Sequence, residues 1–134
     1  MSHYDAIIIG TGQAGPALAR RLVAAGRKVA IIERKLFGGT CINTGCTPTK
    51  TLIASAYAAH VVRRASDYGV TINGRVTVDM KAVKARKDAV VAPSREGVER
   101  SLKTLSGCTV FQGHGLFVGE RKVEVNGSEL TADR

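Results

Sequence analysis

Two short, dense apolar runs stand out early in the chain, at residues 4–9 with Ala6-Ile7-Ile8-Ile9 and at 29–32 with Val29-Ala30-Ile31-Ile32. Runs of this length without alternation predict parallel strands covered on both faces. Between them, residues 13–25 place Ala14, Ala17, Leu18, Leu22 and Ala25 on one helical side and leave Arg20 and Arg21 to reach water. Gly26 follows as a C-terminal stop. Strand, helix and strand make one βαβ unit, with parallel strands and a right-handed crossover.

The next stretch, 34–48, is dense in Gly and Thr and reads as a loop. Leu52, Ala56, Ala59 and Val62 then mark a helix over 49–65, with Thr47 as N-cap and Pro48 as first helical residue. A connector through Tyr68-Gly69-Val70 and Asn73-Gly74 leads into a long basic helix over 79–105, which Pro93 should bend or break. Residues 108–111, 116–118 and 122–125 have the pattern of short strands, and Asn126-Gly127 before Ser128-Glu129-Leu130 is a hairpin signal. The expected fold class is α/β: a Rossmann-like parallel βαβ core plus a small antiparallel β-meander.

A chain of 134 residues is of single-domain size and can bury a core without disulfide staples. Its 44% apolar content and mean hydropathy of +0.01 match a folded domain rather than a disordered tail. No apolar run approaches the roughly 20 residues needed to span a bilayer. The start, Met1-Ser2-His3-Tyr4-Asp5, has no basic leader, so the cytoplasm is the expected compartment and no membrane partner is expected. Lys and Arg outnumber Asp and Glu by 20 to 11, but they are scattered along the chain, and aromatics for base stacking are only 4% of it. No nucleic-acid partner is therefore expected.

Gly10-Thr11-Gly12-Gln13-Ala14-Gly15 fits G-x-G-x-x-G, with a strand before it, a helix after it, and Glu33 at the end of the second strand. Gly10 permits the tight turn, Gly12 lets backbone approach a pyrophosphate, and Gly15 allows close helix-on-strand packing. The helix N-terminus offers free N–H groups and partial positive charge to phosphate. Glu33 is placed to accept hydrogen bonds from the hydroxyls of an unphosphorylated adenosine ribose. The glycines alone do not separate FAD from NAD, so a plain NAD-binding Rossmann dehydrogenase stays open at this point.

Three cysteines are an odd count for a structural framework, and close spacing in a reducing compartment points to chemistry. Cys41 and Cys46 lie five positions apart. In a regular helix their Cα atoms would be about 8–9 Å apart, beyond the roughly 7 Å limit for a bridge. The segment must bend if they pair, and Gly45 supplies the freedom for it. Cys46 would then stand at or just before a helix N-terminus, which favours thiolate, and Lys50 adds positive charge. A zinc half-site or two inert thiols remain alternatives; no metal site is expected because no second pair with ligand spacing is visible. Cys108, alone in a strand-like run, reads as a small core residue.

The segment from Gly38 to Lys50, Gly-Gly-Thr-Cys-Ile-Asn-Thr-Gly-Cys-Thr-Pro-Thr-Lys, resembles without a gap the active-site signature of the flavoprotein pyridine nucleotide-disulfide oxidoreductases. Mercuric reductase, dihydrolipoamide dehydrogenase and glutathione reductase belong to that family. Thr47 and Thr49 replace its more usual apolar and Ser residues. The resemblance implies that residues 1–134 are the N-terminal portion of an FAD-binding domain, with FAD held by Gly10, Gly12, Gly15, Glu33, Gly39 and Thr40, and with Lys50 beside the flavin. His114-Gly115 resembles a later turn whose backbone, at Gly115, approaches the adenine side. Cys46 is implied as the flavin-facing thiolate and Cys41 as the thiol that meets substrate. Electrons would pass from NAD(P)H to FAD, to the Cys41–Cys46 disulfide, and on to a small-molecule disulfide or mercuric ion. The family further implies a homodimer, together with NAD(P)H-binding and interface domains that this sequence does not contain. The chain by itself is accordingly expected not to turn over, its sheet lacking a closing strand. The alternative is a non-catalytic fragment that only binds FAD or another nucleotide.

Overall fold

The computed structural model describes residues 2–134; Met1, part of the start read above as free of a leader, lies outside them. The elements in chain order are β1 (Ser2–Tyr4), β2 (Ala6–Ile9), α1 (Ala14–Ala24), β3 (Val29–Glu33), α2 (Gly39–Asn43), α3 (Cys46–Arg63), a 3₁₀ turn at Ala65–Tyr68, α4 (Met80–Lys103), β4 (Cys108–Gln112), β5 (Leu116–Gly119), β6 (Lys122–Val125) and β7 (Ser128–Ala132). They form a parallel sheet of order β2-β3-β4 and a mixed sheet of order β1-β7-β6-β5.

β3 is the central strand, and all five of its residues are buried. Alternation along it divides the interior into two cores. Ala30 and Ile32 face the mixed sheet, packing with Tyr4, Val123, Val125, Leu130 and Ala132. Val29 and Ile31 face the helices, packing with Ala19, Phe37 and Leu102. The result is three layers, helices over parallel sheet over mixed sheet.

Four expectations need correction. Residues 4–9 are not one central strand: Asp5 splits them between two sheets, and β2 is an edge with Ile9 48% exposed. The split has a cause, since the Asp5 N–H donates to the Lys28 carbonyl (2.8 Å) and its carboxylate accepts from the Lys28 N–H (2.6 Å). The α1 face is also turned. Gly15, Pro16 and Ala19 are buried, with Leu22 and Val23 packed against the helix-side core, whereas Ala14, Ala17, Leu18 and Ala25 are exposed. Contact of Gly15 with the end of β2 fixes that rotation. Within 34–48 the loop reading gives way to α2 and the start of α3, whose N-cap is Gly45 rather than Thr47. Pro48 remains in the first turn of α3, where no intrahelical donor is required. Finally, Pro93 does not break α4, which runs from Met80 to Lys103.

Residues 108–112 join the parallel core, pairing with β3 from Val29↔Cys108 to Glu33↔Gln112. Only β5, β6 and β7 form the meander. The Asn126-Gly127 turn occurs as expected, with φ of 52° and 73°. Both values are positive, as a type I′ hairpin requires. No helix among the described residues is long and apolar enough to cross a membrane.

Candidate functional site

At the C-terminal end of β2 the chain turns sharply at Gly10, whose φ is +103° and whose N–H donates to the Ile32 carbonyl at 2.7 Å. Gly15 lies beneath that turn. A Cβ on Gly15 would come 2.2 Å from the Gly10 carbonyl oxygen, so only glycine lets α1 start this close to the strand. A Cβ on Gly12 would meet nothing within 4 Å, which leaves an open cradle before the helix. No side chain caps α1, and no acidic residue occupies its first turn. An uncapped N-terminus facing an open glycine loop has the donor set for a phosphate.

Glu33 closes one side of this loop. Its Oε2 accepts from the Thr11 hydroxyl (2.6 Å) and the Thr11 N–H (3.0 Å), and its Oε1 accepts from the Lys35 N–H (2.9 Å). Burial pushes the Glu33 carboxyl up, but the Thr11 hydroxyl and the N–H groups of Lys35, Thr11 and Arg34 outweigh it and hold the group below its ordinary 4.5. A cavity of about 120 Å³ opens beside it, lined by Gly10, Glu33, Arg34, His114 and Gly115 among others. The turn at 113–115 thus shares a cavity with Glu33.

From β3 the chain continues through Phe37, buried in the helix-side core, to Gly38 and Gly39. The Gly38 N–H donates to both the Thr11 carbonyl (3.1 Å) and the Thr11 hydroxyl (3.2 Å). Gly39 packs so closely that its Cβ would lie 2.8 Å from the Gly12 Cα. The cysteine loop therefore begins directly on the glycine loop. Asn43 secures it, its Nδ2 donating to the carbonyls of Phe37 (2.8 Å) and Gly39 (2.9 Å).

Cys41 lies in α2 and Cys46 is the first residue of α3. The corner between the helices is Gly45, where a Cβ would come 2.9 Å from the Thr40 carbonyl oxygen and 3.3 Å from the Cys41 Cα. Close approach, rather than a left-handed φ, is what excludes other residues at this corner. Both cysteines are free thiols, Cys46 exposed and Cys41 half-buried. The Cys41 thiol is raised above its ordinary 9.0, chiefly by its hydrogen bond with Cys46 and then by burial, while Lys50 acts weakly against the rise. Lys50 itself is exposed on α3, one turn beyond Cys46, and Thr40 is exposed on α2. Cys108 packs against the helix-side core, and burial raises its thiol.

Sequence reasoning missed two residues of this site, Thr11 and Asn43. Thr11 occupies a variable position of the glycine pattern, so nothing in the pattern signals it. Asn43 stands within the quoted signature, but its role as a clamp depends on backbone carbonyls that only the folded loop brings together.

Comparison with known proteins gives the class to which a chain with this glycine loop and cysteine corner belongs. The family model for pyridine nucleotide-disulphide oxidoreductases matches residues 4–134, and the chain belongs to that family. The family uses FAD and NAD(P)H. The chain is 39% identical over 127 residues to a dihydrolipoyl dehydrogenase of Acholeplasma laidlawii, covering 95% of this chain and 38% of that protein. It is 37% identical over 131 residues to a mercuric reductase of Bacillus cereus, covering 98% and 21%. Among solved structures, the HOCl-induced flavoprotein disulfide reductase RclA from Escherichia coli superposes with a TM-score of 0.80 at 33% identity, covering 97% of this chain and 26% of that one. The chain thus spans about a fifth to two-fifths of the length of these relatives.

Proposed function

We propose that residues 1–134 are the N-terminal part of an FAD-binding domain and carry the FAD site and redox dithiol of a flavin-dependent NAD(P)H:disulfide or mercuric ion oxidoreductase. The observation that carries this reading is the packing of Gly39 on Gly12, which makes the dithiol loop and the glycine loop one continuous site. In this reading the α1 N-terminus and Gly12 take the pyrophosphate, Gly10 and Gly15 shape the turn, and Glu33 takes the adenosine ribose. Gly39 and Thr40 lie along the phosphates, Gly115 along the adenine side, and Lys50 beside the flavin. The bound flavin supplies a two-electron relay between NAD(P)H and the dithiol.

The protein's own share is thiol chemistry. The Cys41 thiol gives up its proton and attacks one sulfur of a substrate disulfide, forming a mixed disulfide and releasing one substrate thiolate, which takes up that proton. The Cys46 thiolate then attacks the Cys41 sulfur, releasing the second substrate thiolate and closing the Cys41–Cys46 disulfide. Two electrons have passed to substrate. The proton held on Cys41 by its Cys46 contact and burial supports a division of labour in which Cys46 is the flavin-facing thiolate and Cys41 meets substrate. The parent is read as cytoplasmic and as a homodimer, and the exposed apolar side chains Leu52, Ile53, Tyr57 and Val61 along α3 leave a surface that further protein could cover.

The test is reconstitution of the protein with FAD and reduction under nitrogen. A long-wavelength thiolate-to-flavin absorption band should survive Cys41→Ser and vanish in Cys46→Ser. Release of NAD or of no nucleotide on acid extraction of the purified parent, or a band that survives Cys46→Ser, would refute the assignment.

A further inference from the structure

Resting on the reading of the glycine loop as an FAD site, we propose that Thr11 is the positioning residue that fixes the ribose-binding carboxylate and ties it to the start of the dithiol loop. Thr11 is fully buried and Glu33 is 8% exposed, so neither can exchange its contacts for water at low cost. An ionised carboxylate only accepts hydrogen bonds, so the single hydroxyl proton of Thr11 must point at Glu33 Oε2, 2.6 Å away. That orientation leaves the hydroxyl's lone pairs for the Gly38 N–H at 3.2 Å.

The consequence for Glu33 is directional. Oε2 is gripped from two sides by one residue, whereas Oε1 has a single donor, the Lys35 N–H. The carboxylate cannot rotate, and the remaining acceptor capacity of Oε1 is held in place for a ribose hydroxyl. Without the Thr11 hydroxyl, the carboxylate keeps the N–H contacts of Thr11 and Lys35 but loses its shortest bond and is held less firmly. Gly38 would still have the Thr11 carbonyl at 3.1 Å, so the dithiol loop stays attached while the Glu33 anchor is weakened. Thr11→Val therefore tests the carboxylate separately from the loop.

The lowered Glu33 titration supports this account and gives the sign of the pH effect. A carboxylate whose acidity is strengthened by its donors stays charged below the usual range, and binding that depends on it is lost only as the pH falls through the lowered value. Removing the hydroxyl moves that loss to higher pH. The charged or titratable side chains lining the cavity with Glu33 are Arg34 and His114, and both are constant across the variants.

The experiment compares wild type, Thr11→Val, Thr11→Ser and Thr11→Ala in the full-length parent protein. The Glu33 carboxyl is titrated by carbon-13 NMR, and FAD affinity is followed from pH 4.5 to 8 by quenching of flavin fluorescence. Valine and alanine should raise the Glu33 midpoint and weaken FAD binding roughly tenfold, as expected for loss of a hydrogen bond to a charged group. The deficit should widen as the pH falls. Serine should restore both readouts. Alanine serves where the second methyl of valine does not fit. A wild type that takes up no FAD overturns the function proposed above and the ligand with it. A wild type that binds FAD, with Glu33 midpoint and affinity unchanged in Thr11→Val and Thr11→Ala, overturns the Thr11 inference alone.

Discussion

Alanine at Gly15 and alanine at Gly12 should fail in different ways, because one position packs against backbone and the other faces open space. At Gly15 the added Cβ would stand 2.2 Å from the Gly10 carbonyl oxygen, more than an ångström inside ordinary contact. The loop cannot easily retreat, since the Gly10 N–H is bonded to Ile32 and the neighbouring Thr11 is bonded to Glu33. Overpacking of this kind costs about 1–3 kcal/mol, offset by up to ~1 kcal/mol of helix propensity gained over glycine. A net loss of about 1–2 kcal/mol, with a urea slope of roughly 2 kcal/mol/M for a domain of this size, lowers the unfolding midpoint by about 0.5–1 M. At Gly12 the Cβ meets nothing within 4 Å, so stability should stay within about 0.5 kcal/mol of wild type. The same Cβ would occupy the cradle, and FAD affinity should fall at least tenfold. Urea titration by far-UV circular dichroism and FAD titration by fluorescence read the two effects separately. A Gly15→Ala variant with an unchanged midpoint would show that helix and strand are not packed this closely. Gly12→Ala with full FAD affinity would show that the cradle does not hold the ligand.

Alkylation of the reduced chain with limiting iodoacetamide at pH 7.5 should label Cys46 ahead of Cys41 and Cys108, because Cys46 is exposed and burial or hydrogen bonding raises the other two thiols. Equal labelling by peptide mass spectrometry would contradict that ordering. Gly45→Ala should push α2 from α3, since its Cβ would stand 2.9 Å from the Thr40 carbonyl oxygen, and should lower the yield of the Cys41–Cys46 disulfide in a fixed glutathione buffer. An unchanged yield would mean that the corner tolerates a side chain. Because Glu33 is held below 4.5 in the folded state, its contribution is fully present above that value and is lost as the pH falls through the lower one. Wild-type stability should thus decline more steeply than that of Glu33→Gln below about pH 4.5, as judged by urea midpoints, and parallel pH profiles would remove Glu33 as the cause. Gly127→Ala places a side chain at φ +73° in the β6–β7 turn and should cost about 1–2 kcal/mol, with an unchanged urea midpoint arguing against the positive-φ turn.

The sequence made the class of fold legible because two local signals agreed, the apolar runs around the glycine pattern and the dense cysteine signature. What it obscured were facts fixed by tertiary packing. Asp5 lies inside an apolar run, yet its bonds to Lys28 split that run between two sheets, and no periodicity records a partner 23 positions away. The rotation of α1 follows from Gly15, a residue without a hydrophobic side chain, so a count of apolar positions chose the wrong face. Residues 108–111 read as one more short strand, whereas the parallel pairing of 108–112 with β3 depends on the crossover through α2, α3 and α4. The site shows the same division. The placement of Gly10, Gly15 and Glu33 around one turn, and of Cys41 and Cys46 around one corner, was readable because it rests on residue type at a fixed spacing. Thr11 was not, because its role comes from joining Glu33 to Gly38, two residues beyond reach of any local pattern. The single hydroxyl that links them makes the carboxylate and the dithiol loop parts of one hydrogen-bonded unit. A substitution at Thr11 should therefore be felt first at the nucleotide side, where its hydroxyl makes the shortest of the three bonds to Glu33, and only secondarily at the cysteines, where the Thr11 carbonyl still holds Gly38.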